Sequence, residues 1–118
     1  LDRIFASHPD HLAAGEAALC AVYPDARNPR AFPELLEAGL EPHTVSAVWL
    51  MAHAGADLRI DVTDTFDKKI AALRAHDSQT GHREDLEEMI RGWLTMNAEA
   101  AGMEPGRLAE AFRVVTTA

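Results

Sequence analysis

Across residues 83–101, Leu86, Met89, Ile90, Trp93 and Leu94 recur at the i, i+3, i+4, i+7 spacing of a single helix face. No other feature constrains the fold as much. A stripe of that width is stable only against another apolar surface, so the rest of the chain must supply one. Gly102 and Pro105 end the helix. Three segments read as the strands that cover it. Residues 45–51 are β-branched and aromatic at their centre, which predicts a buried strand. Leu58, Ile60 and Val62 alternate with Arg59 and Asp61, as in a strand with one solvated face. Residues 111–116 form a closing strand with Phe112 and Val114 on one side. Three further segments read as helices. An Ala-rich helix begins near Asp10 or His11 and is stopped after Tyr23 by Pro24. A loop holding Asn28-Pro29 and Phe32-Pro33 leads to a short helix over 34–38 that Gly39 ends. Asp64 or Thr65 caps a helix that places Phe66, Ile70 and Leu73 on one face.

The order helix, strand, strand, helix, helix, strand is that of an α/β protein. The 118 residues suffice for one small domain. With so few strands and so much apolar helix face, the pattern reads as the C-terminal part of a larger, mostly parallel, Rossmann-like sheet flanked by helices. On this reading residues 1–118 are one segment of a single domain whose N-terminal half is missing. Apolar residues make up 47% and charged residues 25%, a globular mixture. The net charge of −8 repels phosphate, which argues against nucleic-acid partners and docking to anionic membranes. No apolar run approaches the roughly 20 residues that span a bilayer. One cysteine, Cys20, excludes an internal disulfide framework and fits a reducing, cytoplasmic location.

The densest cluster of chemically capable side chains is Ser7-His8-Pro9-Asp10-His11, at the mouth of the first helix. Neutral imidazole binds zinc at about 2.0–2.1 Å. A neighbouring carboxylate fixes the tautomer of such a histidine, and a helix N-terminus favours the negative charge of an oxyanion. Taken alone, the same residues read more simply as an Asp10 N-cap and two surface histidines, and four residues do not make a metal site.

The stretch His8-Pro-Asp-His-Leu-Ala-Ala-Gly-Glu-Ala resembles the second signature of the LmbE/PIG-L-like zinc-dependent N-deacetylases. Two later blocks resemble the same family in the same order. One is Ile60-Asp61-Val62-Thr63-Asp64 with Lys68-Lys69-Ile70-Ala71-Ala72-Leu73 and Ala75-His76-Asp77-Ser78-Gln79; the other is Glu110-Ala111-Phe112-Arg113-Val114. The resemblance implies that His11 ligates Zn2+, that His8 stabilises the oxyanion or protonates the leaving amine, and that Asp10 orients that histidine. It implies a hydrolase that removes an N-acetyl group from a small-molecule, N-acetylated amino-sugar conjugate. The family's other signature, His-Pro-Asp-Asp, supplies the remaining ligands and the general base. His-Pro-Asp occurs once here, at His8, so that signature is absent and this chain alone is expected to be inactive, needing the missing half in cis or in trans. A homo-oligomer stays open. Two alternatives stand beside this reading: a non-catalytic α/β interaction module that keeps the motif, and an amidase acting on thiol conjugates.

The other candidates have plainer explanations. His76, Ser78 and Gln79 fall in a resembling block, yet a histidine at a helix C-terminus is commonly structural. His53 follows a strand and is placed to line a pocket at the strand's carboxyl end, where α/β sheets bind ligands, but loop histidines are usually just solvated. Cys20 reads as a small core residue, and Trp49 and Trp93 as core or interface packing rather than sugar stacking.

Overall fold

In a computed structural model of the chain, residues 8–117 are described. They form α1 (Pro9–Val22), α2 (Pro33–Glu37), β1 (Ala47–Met51), β2 (Leu58–Asp61), α3 (Phe66–Arg74), α4 (Asp77–Thr80), α5 (Leu86–Ala100) and β3 (Ala109–Thr116), with single 3-10 turns at Asp25–Arg27 and Thr63–Thr65. The α/β class and the expected element order hold. The short α4 and the two 3-10 turns were not foreseen.

The three strands make one sheet in the order β1-β3-β2. β2 and β3 pair antiparallel, Leu58 opposite Phe112 and Asp61 opposite Ala109. A mostly parallel, Rossmann-like sheet is therefore not what the described residues build. The expectation came from counting uncovered helix surface, and the antiparallel pairing covers part of it locally. Strand polarity depends on which segments meet, and residue pattern does not carry that.

The residues divide into two compact units, one comprising 8–48 with 115–117, the other Trp49–Val114. The second unit holds the core. Phe66, Leu86, Ile90, Leu94 and Leu108 are buried together, with Val62, Ile70, Leu73 and Met89 packed around them. The α5 stripe behaves as its spacing predicts, since Leu86, Ile90, Leu94 and Ala98 are all buried. Trp93 and Met96 on its flank stay exposed. Arg91 stacks its guanidinium over the Phe66 ring, 4.0 Å from the centroid. The helix ends in a Schellman motif: Gly102 N–H donates to Glu99 O (2.9 Å) and Met103 N–H to Ala98 O (3.0 Å), with Gly102 at φ +68°.

The strand expected at 45–51 forms over a shorter range, and it is not buried: Trp49 is 51% and Met51 75% exposed. Neither tryptophan is a core residue of this chain, although Trp49 rests its ring 5.5 Å from that of Phe112. Cys20, expected in a core, is exposed.

In the first unit, α1 ends with Tyr23 N–H donating to Leu19 O. Residues 115–117 are tied to this unit by Arg27, whose Nη2 donates to Thr117 O (2.8 Å), by Thr117 N–H donating to Ser46 O (3.1 Å), and by the Thr117 hydroxyl donating to Val45 O. None of the described residues 8–48 is buried.

Candidate functional site

Pro9 occupies the first turn of α1, where its missing N–H is no loss, and its ring pre-sets the helical φ. The helix therefore starts one residue earlier than the motif suggests. The N-cap is His8, in extended conformation (φ −67°, ψ 151°), and no side chain caps the helix. Asp10, weighed as an N-cap, sits inside the first turn, where its charge still suits the positive end of the dipole.

The His8 and His11 rings lie 6.1 Å apart, tilted by 49°. Asp10 Oδ2 is 3.9 Å from His11 Nε2, beyond hydrogen-bond reach, and the two side chains are 78% and 70% exposed. Asp10 and His11 are therefore not hydrogen-bonded to each other. The two imidazoles and the carboxylate are brought to one helix mouth and left open to solvent.

A zinc site takes at least three protein ligands. Among the described residues, no group of three or more His, Cys, Asp and Glu side chains is placed to hold a metal ion. The described residues alone therefore do not close a zinc site. His11 fits the part of one ligand, an accessible imidazole held on a rigid helix.

The second unit carries the other candidates. His76 is exposed at the N-cap of α4, and its carbonyl accepts from Gln79 N–H (2.9 Å) and Thr80 N–H (3.0 Å). Thr80 Oγ1 donates to Leu73 O (2.8 Å), and Arg74 Nη1 donates to Arg83 O (2.8 Å). The His76–Gln79 block is thus a hydrogen-bonded corner that turns the chain from α3 towards α5. Gly81 completes it, because a Cβ there would lie 2.7 Å from the Asp77 carbonyl oxygen. His53 Nδ1 accepts from Gly55 N–H (2.9 Å) in the turn after β1, where Ala52 has φ +53°. That bond makes His53 part of a turn, and it does not line the neighbouring cleft.

That cleft, about 360 Å³, is lined by residues of α3, α5, β3 and the end of β1, among them Met51, Trp93 and Phe112. Lys69 and Glu110 also line it, as an ion pair at 2.6 Å. Periodicity and spacing do not signal this pair, since its partners stand 41 residues apart on different elements. The chain's perturbed carboxylates lie elsewhere. Asp57 is held below the usual carboxylate range by the Val114 amide and by Arg113, and Asp61 by the Thr63 hydroxyl and amide and by Arg107. Both are exposed residues that brace the β2–β3 region.

The sequence is 34% identical over 112 residues to the diacetylchitobiose deacetylase of Thermococcus kodakarensis, a match covering 94% of this chain and 41% of that protein. The structure is similar to that of the N,N'-diacetylchitobiose deacetylase of Pyrococcus horikoshii, complexed with its inhibitor MPG. The TM-score is 0.77 at 29% identity, over 95% of this chain and 42% of that one. No family model matches the sequence. The chain thus spans about two-fifths of the length of these homologues.

Proposed function

We propose that this chain is part of a zinc-dependent N-deacetylase that hydrolyses the acetamide of an N-acetylated amino sugar. The observation that carries the reading is the homology itself, which runs through 94% of the chain to a diacetylchitobiose deacetylase. The His8-Pro9-Asp10-His11 helix mouth supports it as the place where the chemistry converges. His11 is the metal ligand. Zinc, when bound, supplies Lewis acidity and a water that ionises near neutral pH.

The chain's own residues do the rest. His8, at the N-cap, donates an N–H to the oxyanion that develops on the acetyl carbon, or hands its proton to the departing amine. The backbone amides of the first turn of α1 add positive potential at the same point. Asp10 orients the His8 imidazole, accepting its ring N–H and so fixing its tautomer. The remaining ligands and the general base come from polypeptide other than the described residues, in cis or in trans. The reading includes a cytoplasmic location, motivated by the single cysteine. None of the described helices is long and apolar enough to cross a membrane.

The test is metal content and turnover of the full-length gene product on an N-acetylated chitobiose. His11→Ala should lose tight zinc. His8→Ala should keep zinc and lose roughly 10²–10³-fold in kcat, the scale for one oxyanion stabiliser. Zinc retained by the first variant, or unchanged turnover in the second, overturns these roles. The 118-residue chain by itself should not deacetylate. The rival reading is a non-catalytic interaction module that keeps the motif. Absence of zinc after reconstitution of the full-length protein would establish that rival.

A further inference from the structure

The cleft of about 360 Å³ in the Trp49–Val114 unit falls within the roughly 300–1,000 Å³ of small-molecule sites. Its base is fixed, because Ile90 and Leu94 belong to the packed core. Trp93, 55% exposed, lines it together with Asn97, one turn further along α5. The i, i+4 spacing sets a flat apolar ring beside a side-chain amide that both donates and accepts hydrogen bonds. The cleft also holds the Lys69–Glu110 pair, whose side chains are 2.6 Å apart and only 35% and 29% exposed. That single contact leaves further N–H donors on Lys69 and further lone pairs on Glu110. The lining is thus largely apolar, neutral in net charge, and supplied with a donor and an acceptor held side by side.

These groups select a ligand by its chemistry. An anion is disfavoured, since Glu110 already neutralises Lys69 and the chain's net charge is −8. A cation would compete with Lys69 for Glu110 and leave a half-buried ammonium unpaired. A wholly apolar ligand would strip water from the ion pair and the Asn97 amide without replacing those hydrogen bonds. What fits is a neutral ring with one C–H face and an edge of adjacent hydroxyls, each of which donates and accepts. We infer that this cleft binds a neutral pyranose sugar, its C–H face against Trp93 and its hydroxyls on Lys69, Glu110 and Asn97. Residue order alone suits Trp93 to packing rather than to sugar; its exposure beside the ion pair reverses that preference. The site draws on no residue of the His8–His11 helix mouth and does not depend on the deacetylase reading.

The experiment is an NMR titration of the full-length gene product with methyl β-glucopyranoside, a sugar that has no acetamide to hydrolyse. The methionine methyls are isotope-labelled and assigned by replacing each methionine in turn with leucine. Met51 and Met96 line the cleft and Met103 does not. The Met51 and Met96 methyls should shift and saturate in the millimolar range, the scale for a ligand of about a dozen non-hydrogen atoms, while that of Met103 stays in place. Trp93→Ala should weaken binding by about 10-fold or more, and Trp93→Phe by less, with circular dichroism unchanged in both because the ring is largely exposed. Unmoved methyls at Met51 and Met96, an equal shift at Met103, or binding untouched by Trp93→Ala overturns the inference. Cyclohexanol or choline moving the same two methyls at a lower concentration than the sugar makes the occupant apolar or cationic and also overturns it. Zinc content and turnover on N-acetylated chitobiose, read on the same protein, keep the two claims apart. Saturable methyl shifts without zinc leave the sugar site standing and remove the deacetylase reading. Zinc and turnover with unmoved methyls do the reverse.

Discussion

Asp61 accepts from the Thr63 hydroxyl at 2.6 Å and from the Thr63 amide at 2.9 Å, and Arg107 lies 3.2 Å away. These contacts favour the ionised form and hold the carboxyl below its ordinary value of 3.8. A carboxyl whose pKa is depressed by folding contributes stability that is present above the unfolded value and lost as pH falls through the folded one. Acid should therefore weaken the β2–α3 junction in the window below about pH 4. Thermal unfolding followed by circular dichroism should show Asp61→Asn lowering Tm at neutral pH and flattening the decline on acidification; parallel acid slopes in the two proteins would contradict this. At the core, Leu94 is buried among Phe66, Ile90 and Leu108. Leu94→Ala should destabilise the chain by about 2–5 kcal/mol, read from denaturant unfolding, and a loss below about 1 kcal/mol would mean that the cluster is not closely packed. The side chains of the candidate site were legible in the sequence as a cluster. Their spacing was not, because the 3.9 Å between Asp10 and His11 depends on the rotamers that tertiary contact selects.

Element by element, α5 shows both what local pattern predicts and where it stops. Its i, i+4 series is buried as expected, and Gly102 closes it in the left-handed conformation. Gly92, mid-helix, has open space where a Cβ would go. Opposite effects should follow from the same substitution: Gly92→Ala stabilises by about 0.5–1 kcal/mol, whereas Gly102→Ala costs about 1 kcal/mol or more. Two shifts of the same sign in chemical denaturation would refute the assignment of these glycines. The helix begins at Leu86 rather than 83, since Arg83 binds the Asp85 carboxylate from outside the first turn. The misjudged element is β1. Its apolar composition matches a buried strand, yet Trp49 and Met51 face solvent. Composition records what a segment is suited to cover, and exposure depends on what lies against it.

For the whole molecule, two-fifths of a homologue's length corresponds to a structure with one packed core, in Trp49–Val114, and one surface-rich unit around α1. Because burial is what holds an element of this size in place, the two units should differ in stability. Mild proteolysis ought to cut within 8–48 well before it cuts α5 or β3, with fragments read by mass spectrometry; simultaneous loss of both would show that they unfold together. From residue order alone came the α/β class, the helical face of α5, the turn glycines and the His8-Pro9-Asp10-His11 helix mouth, all of which rest on periodicity and backbone preference within about twenty residues. Only the tertiary structure decided the antiparallel pairing of β2 with β3, the Lys69–Glu110 ion pair across 41 residues and the absence of an interior around α1. Those depend on which distant surfaces meet, a quantity fixed by the sum of many long-range contacts and carried by no single stretch of chain.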